Sequence, residues 1–317
     1  MFNIFKENIP TKPVVIIGAA FADMIINIDK LPYSGDDISA REGGMQIGGC
    51  AFNVARALAR LELNPIAAIP VGCGEWGARV EREMRDEGLN IILRHPVYDN
   101  GWCLAIVESS KERTFITIEG CEQYWTADML ENIPLPDNSI IYVSGYELTS
   151  DILCKWILKL SFPHKLFIDF GPKLVDFSRK KIQALLQKKP IITLNRTELN
   201  IISNTLNIRE DKPLKAAKVL SDKYDIEIIC RFDSEGACVF EPGKDIDVIP
   251  ACKVKVHDTI AAGDSHCAGV IAGMAYDMGL SEATKLGNEV AAIVVSRPGA
   301  GGAPYRHEFL SFINKTI

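Results

Sequence analysis

The sequence predicts an α/β fold, a mostly parallel sheet with helices on both faces, and three observations carry that prediction. First, apolar runs without polar alternation stand at residues 13–18, 66–71, 140–144, 166–169, 190–194 and 226–231. Such runs fit strands buried on both faces. Helix-period segments lie between them, and strand–helix alternation of this kind builds a parallel sheet. Second, Asp23, Gly48, Glu147, Asp169, Asn195, Asp258 and Asp264 all follow strands or open helices, at the edge where open α/β sheets bind ligands. Third, 317 residues, 47% of them apolar, suit one such domain over residues 11–317 with insertions. No internal repeat, low-complexity segment or linker interrupts it.

The elements follow in order. After the strand at 13–18 comes Asp23, and an apolar run resumes at 24–28. Residues 29–42 turn polar, with Leu31-Pro32 and Ser34-Gly35 as turn signals. Ile38, Ala40, Met45 and Ile47 read as exposed strand. Gly48-Gly49 opens a helix through residue 61, with Phe52, Ala55 and Ala59 on one face and Arg56 and Arg60 on the other. The strand at 66–71 runs into Gly72-Cys-Gly-Glu-Trp-Gly77 and a helix. Residues 102–107 and 113–118 are β-rich and form a hairpin. Helices are predicted at 151–160, 178–187, 214–224 and 281–295, and one opens at Asn195. Short strands fall at 236–240 and 247–249. An alternating run at 252–256 leads into His257-Asp-Thr-Ile-Ala-Ala-Gly-Asp264, and Cys267, Val270, Ile271 and Met274 then keep helical spacing.

Composition excludes several classes. Lys and Arg number 35 against 41 Asp and Glu, a formal charge of −6, so neither nucleic acid nor an acidic membrane is an expected partner. The nine cysteines are odd in number, hold no C-x-x-C and lie mostly inside apolar runs, which reads as reduced thiols in a cytoplasmic protein. The N-terminus shows no leader-like apolar stretch, and no run reaches membrane-spanning length.

The stretch ending at Asp264 organises the chain. Small residues at Ala261, Ala262 and Gly263 leave backbone N–H groups open at a helix start, a place that attracts anions. Asp264 there reads either as an N-cap or as a carboxylate placed beside a phosphate. No Walker A sequence exists in the chain, so a phosphate would need such backbone donors. The glycines at 48 and 49 allow close backbone approach, with Asn53 within reach. Gly72 to Gly77 is formally G-x-G-x-x-G, but the first strand lacks that fingerprint, and the acidic residue the motif wants falls at Asp99, in a turn.

Three motifs in order, Gly48-Gly-Cys-Ala-Phe-Asn-Val-Ala55, Asn195-Arg-Thr-Glu198 and Asp258-Thr-Ile-Ala-Ala-Gly-Asp264, resemble the ribokinase family, also called the PfkB carbohydrate kinases. The likeness covers roughly the whole chain after the first ten residues. Asp99-Asn-Gly-Trp-Cys103, Ser144-Gly-Tyr-Glu-Leu148 and Phe167-Ile-Asp-Phe-Gly-Pro172 resemble an uncharacterised bacterial sugar-kinase subgroup within it. Two departures stand out. Gly74 occupies the place of the Asp in V-G-x-D-x-x-G, and Arg231-Phe-Asp-Ser-Glu-Gly236 replaces (T/K)-L-G-x-x-G.

The resemblance implies a ribokinase-like three-layer α/β/α core and a small β-sheet lid inserted from about 29–47 and 99–122. It implies ATP-dependent phosphorylation of a sugar hydroxyl, with Asp264 as base and Ala261, Ala262 and Gly263 as anion hole. Asp23, Gly48, Gly49, Asn53 and Glu147 would hold the sugar, Asp23 gripping a vicinal diol. Asn195 and Glu198 would place Mg²⁺ through water. Gly236, Asn288 and Gly299 would border the nucleotide, with His266 as filler beside them. Asp258 and the carbonyls of Ile260, Val294, Arg297 and Gly299 match a monovalent-cation site, with potassium as the expected ion. A homodimer through the lid would cover its apolar face, for which Trp102, Leu104 and Phe115 are candidates. A nucleoside, pseudouridine included, is the alternative acceptor, with Phe21, Met45, Trp102 and Tyr146 as pocket candidates. A nicotinamide-dependent reductase resting on residues 72–77 and a non-catalytic sugar sensor are the readings from other classes.

Overall fold

The computed structural model describes residues 10–316 apart from Lys111, Ser161 and Phe162. The N-terminal stretch read above for a leader lies outside the described residues. Fourteen strands are described: β1 (Val14–Ile17), β2 (Phe21–Ile28), β3 (Arg41–Gly48), β4 (Ile66–Ala68), β5 (Pro70–Val71), β6 (Leu93–Arg94), β7 (Trp102–Glu108), β8 (Arg113–Ile118), β9 (Ile140–Ser144), β10 (Lys165–Asp169), β11 (Ile191–Asn195), β12 (Glu227–Arg231), β13 (Ala237–Phe240) and β14 (Asp247–Ile249). Eight form one sheet in the order β14-β13-β12-β11-β10-β9-β1-β4. Its strands are parallel from β12 to β4, and β13 and β14 are antiparallel.

Successive strand residues point to opposite faces, so each apolar run feeds two cores. Val14 and Ile16 join Phe52, Leu58, Tyr142, Phe167, Val270 and Ile271 on one face. Val15 and Ile17 join Val143, Ile168, Leu194, Leu199 and Leu220 on the other. Helices Cys50–Arg60, Ala262–Ala275 and Leu280–Val295 supply the first core, and Asp151–Lys159, Arg179–Leu186, Arg196–Thr205 and Pro213–Tyr224 supply the second. This is the three-layer arrangement expected from the sequence. Among the described residues no helix is long and apolar enough to cross a membrane, and all nine cysteines are free thiols.

Four expectations change. The run at 66–71 is not one strand: β4 pairs with β1, whereas β5 pairs with β6 in a separate ribbon, and Pro70, lacking an N–H, stands at the break. Residues 252–256 form no strand and none of them is buried; an alternating sequence is not enough, since a ladder also needs an edge to pair with. The small sheet, β3-β2-β7-β8, begins at Phe21 rather than residue 29, because β2 pairs in parallel with β7. Finally, the helix Arg306–Thr316 was not anticipated.

The register of the small sheet also separates residues grouped as one apolar face. Met24 pairs with Met45 and Leu104, and Leu104 with Ile116. Phe115 pairs with Ala105, so it projects from the opposite side to Leu104. Trp102 stacks on Trp76 with ring centroids 5.6 Å apart, which makes it packing rather than a bare surface.

Candidate active site

The helix Ala262–Ala275 begins after Ala261, whose φ of 57° is left-handed, a costly conformation for a residue with a Cβ. That turn directs backbone donors into the space above the sheet edge. Among the described residues no acceptor meets the N–H of Ala261 or Gly263, whereas that of Ala262 points to the Thr259 carbonyl at 3.3 Å. Two of the three expected donors are therefore open, and Ala262 is not. Asp264 sits in the first turn, but the helix has no side-chain cap. The N-cap reading of Asp264 falls. Its Oδ2 instead accepts Asn53 Nδ2 at 2.7 Å. Burial raises Asp264 to about 6, the Asn53 bond pulls it down, and Asp169 pushes it up.

Asn53 comes from the helix Cys50–Arg60, which Gly49 opens at a φ of 104°. A Cβ on Gly49 would lie 2.7 Å from the Ala19 carbonyl, so glycine is needed for the approach as well as the angle. Helical spacing sets Arg56 on the face opposite Phe52, Ala55 and Ala59. This arginine is 3% exposed, its guanidinium lies 4.9 Å over the Phe52 ring, and Nη2 donates to Asn53 Oδ1 at 2.7 Å. Sequence reasoning missed this, since helical period alone assigns a charged residue outward.

Asp23 and Gly48 lie side by side, with a Gly48 Cβ falling 2.7 Å from Asp23 Oδ2. Burial raises Asp23 to about 6. Glu147 is buried behind Gly18, whose Cβ would lie 2.9 Å from its carboxyl. It accepts Ser144 Oγ at 2.5 Å, and burial raises it to about 7 against that bond. Asp23, Gly48 and Gly49 thus lie together where β2, β3 and the 48–53 junction meet, Glu147 stands behind Gly18, and the Asn53 amide is spent on Asp264 and Arg56.

On the other side of the anion hole stands Arg231, which ends β12. Its Nη1 would be 2.6 Å from a Cβ on Gly263. Its Nη2 lies 3.2 Å from Asp169 Oδ1 and 3.6 Å from Glu198 Oε2. Burial alone would favour discharging it, but Asp169, then Cys267 and Glu198, hold it charged above the usual guanidinium range. Sequence reasoning missed the role of Arg231. The available signal was a charged residue closing an apolar strand at the start of a departing motif. Asn195 and Glu198 are not surface polars: they form a capping box on the helix Arg196–Thr205, and Glu198 is 4% exposed. Its oxygens accept Asn195 N at 2.9 Å and Asn195 Nδ2 at 2.7 Å. With those bonds made and Arg231 alongside, the pair fits Mg²⁺ through water rather than directly.

Gly236 and Asn288 meet at residues 249–251. Asn288 Nδ2 donates to the Ile249 and Pro250 carbonyls at 3.1 Å each, and a Gly236 Cβ would strike the Ile249 carbonyl at 2.2 Å. Burial lowers His266 to about 3, so its ring stays neutral. The Asp258 carboxylate accepts Ile260 N at 3.0 Å and Gly299 N at 3.1 Å, which ties together the two loops proposed to hold a cation. The Val294 carbonyl accepts Arg297 N at 3.0 Å, and Arg297 points its side chain to Glu308. Among the described residues no cluster of three His, Cys, Asp or Glu is arranged to hold a metal ion.

The G-x-G-x-x-G loop is filled from within. Asp99 accepts Gly74 N at 3.2 Å, Trp76 N at 3.0 Å and Gly77 N at 2.6 Å. A carboxylate of the chain occupies the place a pyrophosphate would need, and the dinucleotide reading falls with it.

The model for the pfkB family of carbohydrate kinases matches residues 11–306. A protein described as the uncharacterized sugar kinase YegV of Escherichia coli strain K12 is 36% identical over 313 residues, covering 98% of this chain and 97% of that one. Among solved structures, Arabidopsis thaliana ribokinase complexed with ribose and ATP superposes with a TM-score of 0.79 at 21% identity, covering 96% of this chain and 99% of that one. The nucleoside kinase of Methanocaldococcus jannaschii superposes with a TM-score of 0.77 at 20% identity, covering 97% of this chain and 100% of that one. These two likenesses speak to the fold.

Proposed function

The chain belongs to the pfkB family of carbohydrate kinases and is a phosphotransferase, and from that premise we propose that it moves the γ-phosphoryl group of ATP to a hydroxyl of a small free sugar of ribose-like kind. The observation that carries the reading is the buried Asp264, bonded by Asn53 on one oxygen, beside open N–H groups at a helix start. Asp23 and the 48–49 backbone hold the acceptor, with Glu147 behind them. Asp264 takes the proton of the attacking hydroxyl. The N–H groups of Ala261 and Gly263, the helix dipole and Arg231 meet the charge on the phosphoryl oxygens. Mg²⁺ carried with the nucleotide supplies further neutralisation, with Asn195 and Glu198 to hold it through water. Gly236, His266 and Asn288 border the nucleotide, and the Asp258 loop is the proposed place for a monovalent cation. The enzyme works in a reducing, cytoplasmic setting.

A free sugar is favoured over a nucleoside because the residues that could stack on a base are engaged elsewhere. Trp102 stacks on Trp76, Met45 Sδ accepts Arg79 Nη1 at 3.4 Å, and Phe21 packs against Gly101. Tyr146, 38% exposed, has the Lys173 ammonium 6.0 Å from its ring centroid. ADP release with Mg-ATP and a panel of pentoses, hexoses and nucleosides, pseudouridine included, tests the choice. Turnover is expected with a sugar. Asp264→Asn is expected to lower kcat by roughly 10²–10⁴ with nucleotide binding kept. Turnover confined to nucleosides overturns the acceptor class, and Asp264→Asn within a few-fold of wild type overturns the base.

A further inference from the structure

We propose that Arg56 is a positioning residue for the base: through the Asn53 amide it decides which oxygen of Asp264 is bonded and which faces the acceptor. The inference rests on the reading of Asp264 as base. A primary amide offers a donor end and an acceptor end, and nothing in asparagine itself selects the end that meets a neighbour. Arginine only donates. Its Nη2 lies 2.7 Å from one end of the Asn53 amide, which must therefore be the oxygen. The Nδ2 end then has to face Asp264, where it donates to Oδ2 at 2.7 Å. The three side chains form a one-way chain of donors ending on a carboxylate, and such charge-assisted bonds are stronger than neutral ones. Oδ2 is thereby held by Asn53, the Cys50 side chain also bonds the carboxyl, and Oδ1 is the oxygen we assign to receive the hydroxyl proton.

Arg56 is itself held for this task. Its Nη1 reaches the Ile47 carbonyl at 3.4 Å, its plane lies over Phe52, and Glu83 stands 4.0 Å away. Burying a guanidinium is costly, and a site built only for packing would take an aliphatic residue here. The other charged or titratable groups facing Asp264 are Asp169, Arg231, Cys50, Tyr142, Tyr146 and Cys267. Of these, Arg231 could replace Arg56 as a source of positive charge, but its Nη2 is already placed between Asp169 and Glu198. When Arg56 is lost, the amide can turn its oxygen toward the carboxylate. Asp264 then loses a donor, and it should bind its proton more tightly.

The test reads Asp264 directly. In enzyme labelled with ¹³C at aspartate carboxyls, its signal is the one missing from Asp264→Asn. The wild-type signal should titrate near 6. In Arg56→Met it should titrate higher by roughly half a unit to one unit, the scale of one hydrogen bond. Asn53→Ala should show a similar rise, and adding Arg56→Met to it should change little more, because the arginine acts through the amide. In turnover, the acidic limb of kcat/KM should move up in step, with KM for ATP unchanged. Arg56→Ala guards against a variant that does not fold. It opens space onto a surface cavity of about 290 Å³ that Arg56 lines, so millimolar methylguanidinium should restore the wild-type titration. An unshifted titration in Arg56→Met, or additive rises in the double variant, overturns the proposal. Retained activity in Asp264→Asn instead overturns the base reading, and the carbon titration still reports on Arg56.

Discussion

At the scale of single residues, the site gathers three carboxyls that burial pushes up, Asp23 and Asp264 to about 6 and Glu147 to about 7. Each binds its proton more tightly in the folded chain than in the unfolded one. Their contribution to stability is therefore present in full below about 4 and is lost as pH rises through 6 to 7. Catalysis by Asp264 runs the other way, since the base must be ionised. The fold and the reaction thus favour opposite ends of the same pH window. Glu147 allows the point to be tested without touching the base. Glu147→Gln keeps an acceptor for Ser144 and removes the ionisation. Thermal denaturation should show a gain of a few degrees at pH 8, from roughly 1–3 kcal/mol, and almost none at pH 4.5. Equal effects at both pH values would mean that Glu147 ionises alike in the folded and the unfolded chain.

At the scale of elements, the departure at Gly74 has a physical explanation. A Cβ at Gly74 would lie 2.2 Å from Asp99 Oδ2, so Asp99 fills the space of the acid that the motif usually carries and caps the helix Glu75–Asp86 from a distant loop. Asp99→Ala should cost about 1–3 kcal/mol, since it strands helix N–H groups. Gly74→Asp alone should also destabilise, by crowding Asp99. The two together should recover much of the loss, because the restored acid takes over the N–H groups. Urea unfolding of the four proteins reads this cycle, and plain additivity would refute it. Asp99 also shows how far a sequence carries. The strands β9 to β12 and the helices between them were legible because both-face burial leaves unbroken apolar runs. The 195–198 and 258–264 junctions were legible because their residues must be adjacent in sequence. What could not be read were pairings across distance: β2 with β7, Asp99 with the 74–77 backbone, Arg56 with a base 208 positions on, and Arg231 with Gly263. Each depends on the sheet bringing two segments together, and periodicity records only one segment at a time.

At the scale of the whole molecule, the small sheet poses an unsolved packing problem for an isolated chain. Its strands carry Met24, Met45, Ile116 and Ile118 on the side shared with Leu104, and these four are 36–52% exposed. A contiguous apolar face of this kind tends to associate. A second copy is the simplest cover, since a two-fold contact lets the same face serve both partners. The same sheet carries Asp23 on its other side, paired in register with Gln46 and Cys103. Contact between copies would therefore brace the strand that holds the proposed acceptor ligand. Light scattering should give about twice the 35.0 kDa chain mass at micromolar concentration. Met24→Lys with Ile116→Lys should yield a folded monomer, because neither side chain belongs to the cores on the main sheet. In that monomer the KM for the acceptor should rise several-fold while nucleotide affinity holds, since the disturbance enters through β2 and not through the helix Ala262–Ala275. A wild-type monomer at working concentration would remove the dimer, and a variant monomer with unchanged KM would remove its link to the acceptor site.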